Sequence, residues 1–507
     1  MTIHGSTFPR SPGFGPELHL EPVAGEGRGE GVMRGLREAI ADGRLPPGTR
    51  LPSSRALAAD LGVARNTVVR AYGELTAEGW LVARRGSGTT VASRGVPAGA
   101  GVGARRAGSL SPSPPSPGPH RPHRPFRHDL RQGSPAAGSF PRGAWSASTR
   151  RALMSAPDDA FGPGDPRGHP FLRRELAVHL ARARGVLVDP ERLVVCAGVS
   201  HALRLIGALR EGAVGVEEYG PVFQYRVLEK AGLRPVPLPV DADGARVEVL
   251  TGAPGGPPVG REVRTVLLTP AHQFPLGGAL AAERRAAVIE WARTRDALVL
   301  EDDYDGEFRY DRRPVGALQG LDPQRVVHLG SVSKSLSPAL RLGWMVLPDH
   351  LVPRVLALKG EREARTSVPD QLTLADFLAS GARDRHVRRM RDRYRRRRDR
   401  LREVLAERVP GVGVSGVAAG LHAVLTLPAG TDEAAVVAAA ARHGVAVEGL
   451  ASYRWDAPVA GAPGPRSAPA VPPRKGLVVG YGTPSESAFP GALEALCGVL
   501  RSEVPAR

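Results

Sequence analysis

A segment rich in Pro, Gly, Ser and Arg at residues 93–128 divides this 507-residue chain into two parts that must fold separately. The segment, SRGVPAGAGVGARRAGSLSPSPPSPGPHRPHRPFRH, has almost no large apolar side chains to bury, so we predict an extended linker. Apolar residues recur periodically on both sides of it. We therefore predict a loose tail at 1–30, a small domain at 31–92 and a large domain at 129–507.

Composition restricts partners and compartment only loosely. The formal net charge of +18 is compatible with nucleic acid as a partner. Nearly all of that charge is Arg, however, and only four lysines occur, which GC-rich coding would also produce. Cys196 and Cys497 lack the spacing of a disulfide framework or a zinc site, and we expect no bound metal. Because there is neither an 18-residue apolar run nor a signal-peptide pattern, we expect a cytoplasmic protein without membrane contact.

The small domain has the pattern of a helix-turn-helix. A first helix ends at Gly43, and two short helices are predicted over Arg55–Leu61 and Asn66–Glu78. Ser53 or Ser54 is expected to cap the second helix. A tight Gly-containing turn joins it to the third helix, whose start would then meet base edges and phosphates.

A basic hairpin follows these helices, with strands expected at residues 80–82 and 89–91. The segments GRLPPGTRLPSSRALAADLGVARNTV and GSGTTV closely resemble the GntR family of winged-helix regulators. This α+β winged helix implies a double-stranded DNA operator as partner. A protein-interaction module that has lost DNA binding is the alternative. By resemblance, the DNA contacts are Ser54, Arg55, Arg65, Thr67, Arg70 and Gly88.

The large domain alternates short β-branched strands with helices. The segments 263–270, 297–305 and 325–333 are apolar runs that end in polar loops, and a helical pattern over 281–295 lies between the first two. This alternation predicts an α/β fold with a mainly parallel sheet covered by helices. The Arg-rich run 383–405 is interpreted as a solvated helix that turns Met390, Tyr394 and Leu401 inward rather than as a second DNA site.

Two of the strand ends carry residues that suggest a cofactor. In SVSKS, Lys334 directly follows an apolar strand, and it is either a Schiff-base lysine or an ordinary surface lysine. EDDYD, residues 301–305, ends another strand, and its carboxylates would repel one another without a cation or a cationic ring. These residues either bind a metal or hold a pyridine nitrogen protonated, and the lysine about thirty residues later favours the second interpretation.

Two further loops complete the pattern. The segment PAHQFP, residues 270–275, offers a polar group to a ring hydroxyl, and CAGVSH, residues 196–201, joins a strand to a helix whose N–H groups could hold a phosphate. Each segment alone is weak evidence, but four such strand-end segments in this order are a strong indication of a cofactor site.

Residues 140–499 resemble fold-type-I aminotransferases, and most closely those fused behind a GntR domain, the MocR/GabR-type regulators. The matching stretches include FPRGAW, TPAHQFPLG, EDDYDGEFRY, SVSKSLSPALRLGW and AAGLHAVL. The resemblance implies a large doubly wound domain, a small C-terminal α/β domain, a homodimer and pyridoxal 5'-phosphate as cofactor. Lys334 would form the Schiff base (aldimine) and Asp302 would pair with the pyridinium. Tyr304 and Gln273 would contact the ring hydroxyl. Ser331 and Arg341 would hold the phosphate, with the backbone at Val199 and Ser200, and Ser333 would also contact the cofactor.

The chain departs from that family where substrate is gripped. Pro163 replaces a Tyr that reaches the partner's cofactor, and Pro221 replaces a stacking ring that Tyr219 or Phe223 would have to supply. Leu477 is placed where many aminotransferases have a carboxylate-binding Arg, and Phe223 falls where a GABA-sensing relative has a second Arg. We therefore expect a DNA-binding regulator that senses an amine or amino-acid-like effector through Lys334. The alternatives are an active aminotransferase with a DNA-binding head and a scaffold that has lost the cofactor.

Overall fold

The computed structural model describes residues 28–41, 45–84, 88–92, 126–251, 262–310, 315–360, 366–416, 419–455 and 474–504. The chain divides into two units, residues 1–118 and 119–507. The predicted tail up to residue 27, the hairpin tip at 85–87 and most of the predicted linker, 93–125, lie outside the described residues.

The first unit is the predicted winged helix. Leu36, Leu57, Val68 and Leu81 lie in its single core, which all three helices and the hairpin share. Ser53 is the cap of the second helix, because its Oγ accepts the N–H of Ala56 at 3.2 Å. The elements are α1 (Arg28–Ala41), α2 (Ser54–Asp60), α3 (Arg65–Ala77) and the antiparallel strands β1 (Leu81–Arg84) and β2 (Gly88–Val91).

The second unit carries the predicted α/β pattern. Its strands are β3 (His128–Asp129), β4 (Leu193–Cys196), β5 (Ala213–Glu217), β6 (Arg234–Leu238), β7 (Val240–Asp241), β8 (Gly244–Ala245), β9 (Val263–Leu268), β10 (Leu298–Asp302), β11 (Val326–Ser331), β12 (Gly343–Val346), β13 (Gly413–Ser415), β14 (His422–Thr426), β15 (Val445–Ala446), β16 (Glu448–Gly449) and β17 (Gly476–Gly480). Its helices are α4 (Arg142–Ser155), α5 (Pro170–Arg184), α6 (Val199–Gly207), α7 (Val222–Lys230), α8 (Glu248–Thr251), α9 (Ala282–Thr294), α10 (Val352–Lys359), α11 (Val368–Ala379), α12 (Ala382–Arg408), α13 (Glu433–Arg442) and α14 (Phe489–Glu503).

A seven-stranded sheet forms the large part of this unit, in the order β4-β12-β11-β10-β9-β5-β6. The pairs from β11 across to β6 are parallel, and β12 runs antiparallel to both β11 and β4. Strands β4, β5 and β10 are buried along their whole length, which explains their nearly continuous apolar sequences. The polar loops after β9, β10 and β11 therefore lie at one edge of the sheet.

A smaller antiparallel sheet, in the order β13-β14-β17-β16, forms the second part of this unit. Helix α12 packs on its core with Met390, Tyr394 and Leu401 buried, which confirms the inward positions expected of the Arg-rich helix. Within the described ranges, no helix combines the length and apolar character needed to cross a membrane.

Candidate functional site

Helix α3 is amphipathic, as a helix that enters a DNA groove must be. Val68, Ala71, Tyr72 and Leu75 are buried. Arg65 and Arg70 are exposed on the other side, and Thr67 is half-buried. The Nε of Arg70 is 2.9 Å from Glu74 Oε1, and this exposed pair is weak enough to exchange for a phosphate.

The remaining expected DNA contacts lie on α2 and at the wing. Arg55 is exposed and Ser54 is half-buried at the start of α2. Gly88 opens β2 with a φ of +83°, and a Cβ built there would be 3.1 Å from the Nε of Arg50. The exposed Arg50 guanidinium therefore lies against the wing, a basic group that our sequence analysis did not predict.

Lys334 lies in the loop after β11, near the carboxyl end of β10. Its Nζ donates a hydrogen bond to the carbonyl of Gly133 at 2.5 Å. Burial lowers the pKa of the Lys334 amine, while the charges of Asp305 and Asp302 oppose this shift. A lowered amine pKa increases the fraction of uncharged, nucleophilic lysine.

Asp302 is the buried last residue of β10. Its Oδ2 accepts a hydrogen bond from Gln224 Nε2 at 2.8 Å, and its Oδ1 is buried without a partner among the described residues. Burial raises the pKa of Asp302 to about 6, and the bond from Gln224 opposes this rise. Gln224 was missed from the sequence because it comes from α7, which only the folded sheet brings to β10.

Tyr304 contacts His272 rather than Gln273. The Tyr304 hydroxyl is 2.9 Å from His272 Nδ1, and that nitrogen is also 2.8 Å from Asp305 Oδ2. The side-chain nitrogen of Gln273 instead donates to Glu217 and to the carbonyls of Tyr219 and Phe274. Its side-chain oxygen accepts the N–H of Leu276. The structure thus brings Lys334, Asp302 and Tyr304 together, whereas the Gln273 side chain is held within its own turn by Phe274 and Leu276.

The expected phosphate anchors also converge. Arg341 has a left-handed backbone with φ 51°, a strained conformation for a residue with a side chain, and its guanidinium lies beside Gly198, the residue before α6. Val199 and Ser200 open α6, so their N–H groups lack partners within the helix. At the end of β11, the Ser331 Oγ accepts the N–H of Ser333 at 3.4 Å.

The carboxylates around β10 have separate partners, which corrects the expectation that they need one shared cation. Glu301 accepts the N–H groups of Leu318 and Gln319 at 2.7 and 3.0 Å. Asp303 pairs with Arg184 at 2.6 Å. Among the described residues, the one hydrogen-bond partner of the Asp302 carboxylate is the neutral amide of Gln224, so Asp302 is the carboxylate best suited to a cationic ring.

On β17 the site-facing position is Val478, not Leu477. Leu477 lies in the core of the smaller sheet, whereas Val478 packs with Phe274, Tyr219 and Tyr453 beside Tyr304. Successive strand residues face opposite sides, so the position we assigned to a carboxylate-binding Arg was wrong by one residue. An aliphatic side chain occupies both positions.

The two aromatic candidates for stacking in place of Pro221 differ in their surroundings. Phe223 is 60% exposed. Tyr219 is buried, and its hydroxyl accepts the N–H of Arg474 at 3.0 Å. Pro163 is exposed in the loop before α5.

Comparison with known proteins decides the family. Residues 28–91 match the model of the bacterial regulatory proteins of the gntR family, and residues 137–457 match that of aminotransferase class I and II. The probable rhizopine catabolism regulatory protein MocR of Rhizobium meliloti is 36% identical over 371 residues, covering 71% of this chain and 74% of that protein. This chain is a MocR-type regulator of the GntR family. Like its relatives, the regulator joins a DNA-binding winged helix to an aminotransferase-like domain.

Two further likenesses extend this result. The regulator is 33% identical over 421 residues to the HTH-type pyridoxine biosynthesis transcriptional regulator PdxR of Corynebacterium glutamicum, covering 82% of the regulator and 87% of that protein. The crystal structure of the Pyrococcus horikoshii kynurenine aminotransferase, in complex with PMP, is 25% identical with a TM-score of 0.64, covering 75% of the regulator and 91% of that chain. The fold-type-I architecture expected from the sequence is therefore confirmed.

Proposed function

We propose that this regulator holds pyridoxal phosphate on Lys334 and uses it to sense a small amine. The cofactor supplies an aldehyde, which a primary amine binds as a Schiff base, and a pyridinium ring that withdraws electrons. The main support for the proposal is the buried carboxylate of Asp302. Its Oδ1 has no partner among the described residues, and its Oδ2 accepts a hydrogen bond from the neutral amide of Gln224. A pyridinium N–H would satisfy Oδ1.

The other residues fit the same group. Arg341 and the N–H groups of Val199 and Ser200, with Ser331 and Ser333 near them, would hold the phosphate at the start of α6. Tyr304 would contact the ring hydroxyl. We assign His272 to the place beside Tyr304 that we expected for Gln273, because His272 Nδ1 is within hydrogen-bond distance of the Tyr304 hydroxyl.

The environment favours sensing over turnover. A carboxylate of an amino-acid substrate needs a forked cation, and the positions that would supply one carry Val478 and Phe223. An amine effector would compete with Lys334 for the cofactor and leave the Lys334 amine free to donate to the carbonyl of Gly133, as it does in the structure. We propose that this exchange changes how a homodimer presents its winged helices, with transamination slow or absent.

A second candidate effector is pyridoxal phosphate itself. The relative from Corynebacterium glutamicum is named for pyridoxine biosynthesis, and the loss of carboxylate-binding cations leaves the cofactor anchors as the main ligand contacts. In that case occupancy of Lys334, rather than exchange of its bond, would set DNA affinity.

The winged helix supplies the output. We propose that Arg65, Thr67 and Arg70 approach the operator from α3, with Ser54 and Arg55 on α2. Gly88, at the wing, would allow a close approach to the sugar-phosphate backbone of the operator.

The experiment records the visible spectrum and the operator affinity of the same sample during titration with candidate amines and with pyridoxal phosphate. Lys334→Ala should lose the visible absorbance and the borohydride-reducible adduct, whereas the exposed Lys230→Ala should keep both. Spectrum and DNA affinity should change by linked amounts, because an effector acts only through its differential affinity for two states. An effector that works equally on Lys334→Ala, or turnover with a keto acid at roughly 1 per second or faster, would refute the sensor.

A further inference from the structure

A cavity of about 370 Å³ lies between α5, α12 and residues 306–309, directly after the segment that carries Asp302 and Tyr304. It has no part in the cofactor site or the winged helix. Two acids, Glu307 and Asp384, contribute to its lining. The basic residues that line it are Arg182, Arg184, Arg309, Arg383, Arg388 and Arg391.

Three of these arginines are neutralised by carboxylates. Arg182 is 2.6 Å from Asp384, and Arg184 is 2.6 Å from Asp303. Arg383 pairs with Glu307. Each acid of the lining therefore already pairs with an arginine, although the Oε2 of Glu307 is buried without a partner among the described residues.

Arg388 and Arg391 form no ion pair with a carboxylate in the described part of the chain. Arg391 donates from Nε and Nη2 to the carbonyl of Glu307 at 3.1 and 2.6 Å, so its hydrogen bonds go to backbone rather than to a carboxylate. Arg388 is exposed and makes no hydrogen bond or ion pair with the described part of the chain. Residues three apart on a helix lie on one face, so the two guanidinium groups flank the same opening.

We propose that this cavity binds a small anion that carries a phosphate group. A phosphate dianion would balance the charges of Arg388 and Arg391, and Arg is the side chain best matched to phosphate oxygens. The volume lies within the range of small-molecule sites, roughly 300–1,000 Å³. Because His179 and Arg383 in the lining are buried, the site suits a ligand that enters a cavity better than the backbone of a DNA duplex. The Nδ1 of His179 is buried without a partner among the described residues.

The proposed anion site is separate from the cofactor site, and the experiment distinguishes binding in the cavity from binding at the cofactor's phosphate anchors. Inorganic pyrophosphate is titrated calorimetrically into the full chain after pyridoxal phosphate has been bound and reduced onto the protein with borohydride, so that the cofactor's phosphate anchors are occupied. We expect one site per chain. The Arg388→Ser/Arg391→Ser variant should bind at least about tenfold more weakly, because it loses charge-assisted hydrogen bonds.

The matched control removes the same charge from the same helix. Arg395 and Arg396 are exposed on α12 outside the cavity, so Arg395→Ser/Arg396→Ser should change pyrophosphate affinity less than twofold. Equal losses in the two double variants would reduce the effect to general electrostatics and overturn the site. So would an absence of binding to the unaltered chain, or binding that survives in Arg388→Ser/Arg391→Ser and disappears in Arg341→Met.

Discussion

Asp302 shows how one residue can be costly to the fold and useful to the site. A carboxylate with one neutral hydrogen-bond partner in a dry environment is poorly solvated, and burial raises its pKa to about 6. Glu217, whose carboxylate accepts from Thr269 at 2.6 Å, is affected in the same way, with burial raising its pKa to about 7. The charge of Lys334 offsets only part of this penalty, so without a bound cationic ring the charged form of Asp302 destabilises the folded state.

This argument predicts the effect of Asp302→Asn on the cofactor-free protein. Because the folded pKa lies above the usual value of 3.8, stability should fall as pH rises from about 4 to 6 and stay lower above that. The variant avoids this loss, so at pH 8 it should be more stable than the unaltered chain by up to about 3 kcal/mol, with no gain at pH 4. Urea unfolding at pH 4 and pH 8 measures the difference in stability, with Asp399→Asn at an exposed position as the control.

The Asp302→Asn variant should bind the cofactor more weakly, although it makes the cofactor-free protein more stable. If Asp302→Asn gains the same stability at pH 4 as at pH 8, ionisation of Asp302 is not its cause.

At the scale of elements, the amphipathic helix α3 separates folding from recognition. Val68 and Leu75 bury the face that holds the winged helix together, while Arg65 and Arg70 stand on the opposite face. Substitutions on the exposed face should therefore spare the fold.

We accordingly expect Arg65→Ala/Arg70→Ala to fold normally and to bind the operator more weakly. Each lost base contact should cost about 1–3 kcal/mol at one position, and each lost phosphate contact should lower the salt dependence of binding. Fluorescence anisotropy at several salt concentrations measures both, with Arg395→Ala/Arg396→Ala as the control of equal charge. Unchanged operator affinity in the α3 variant would contradict this placement.

At the scale of the whole molecule, two units with separate cores are connected through the segment that ends before β3, residues 93–127. The winged-helix core and the cores of the second unit share no residues. Two operator half-sites can be bound together only if something pairs two chains, and we propose that the second unit does so as a homodimer.

A fragment of residues 1–92 should therefore bind DNA far more weakly than the full chain. Joining two heads makes the second contact intramolecular, which raises overall affinity by roughly 10²–10⁴ when the geometry allows both to bind. Operator titrations with the fragment and the full chain, together with sedimentation of the full chain, measure this. A fragment that matches the full chain would argue against paired binding.

Much of this molecule could be predicted from sequence because local patterns carried the signal. The winged helix followed from the helical spacing of apolar residues around the turn at Gly62, and the order of strands and helices followed from the apolar runs that end in EDDYD and SVSKS. The convergence of Lys334 and Asp302 was also accessible, because parallel strands end at one edge of a sheet.

The tertiary structure alone decided which neighbour in a loop or strand faces the site. His272 rather than Gln273 meets Tyr304, and Val478 rather than Leu477 faces Phe274. A shift of one residue reverses the direction of a side chain, and sequence periodicity does not fix that register when both neighbours are apolar or both polar. Gln224 reaches Asp302 from a separate helix 78 residues away in the chain, a contact that only the packing of α7 on the sheet creates.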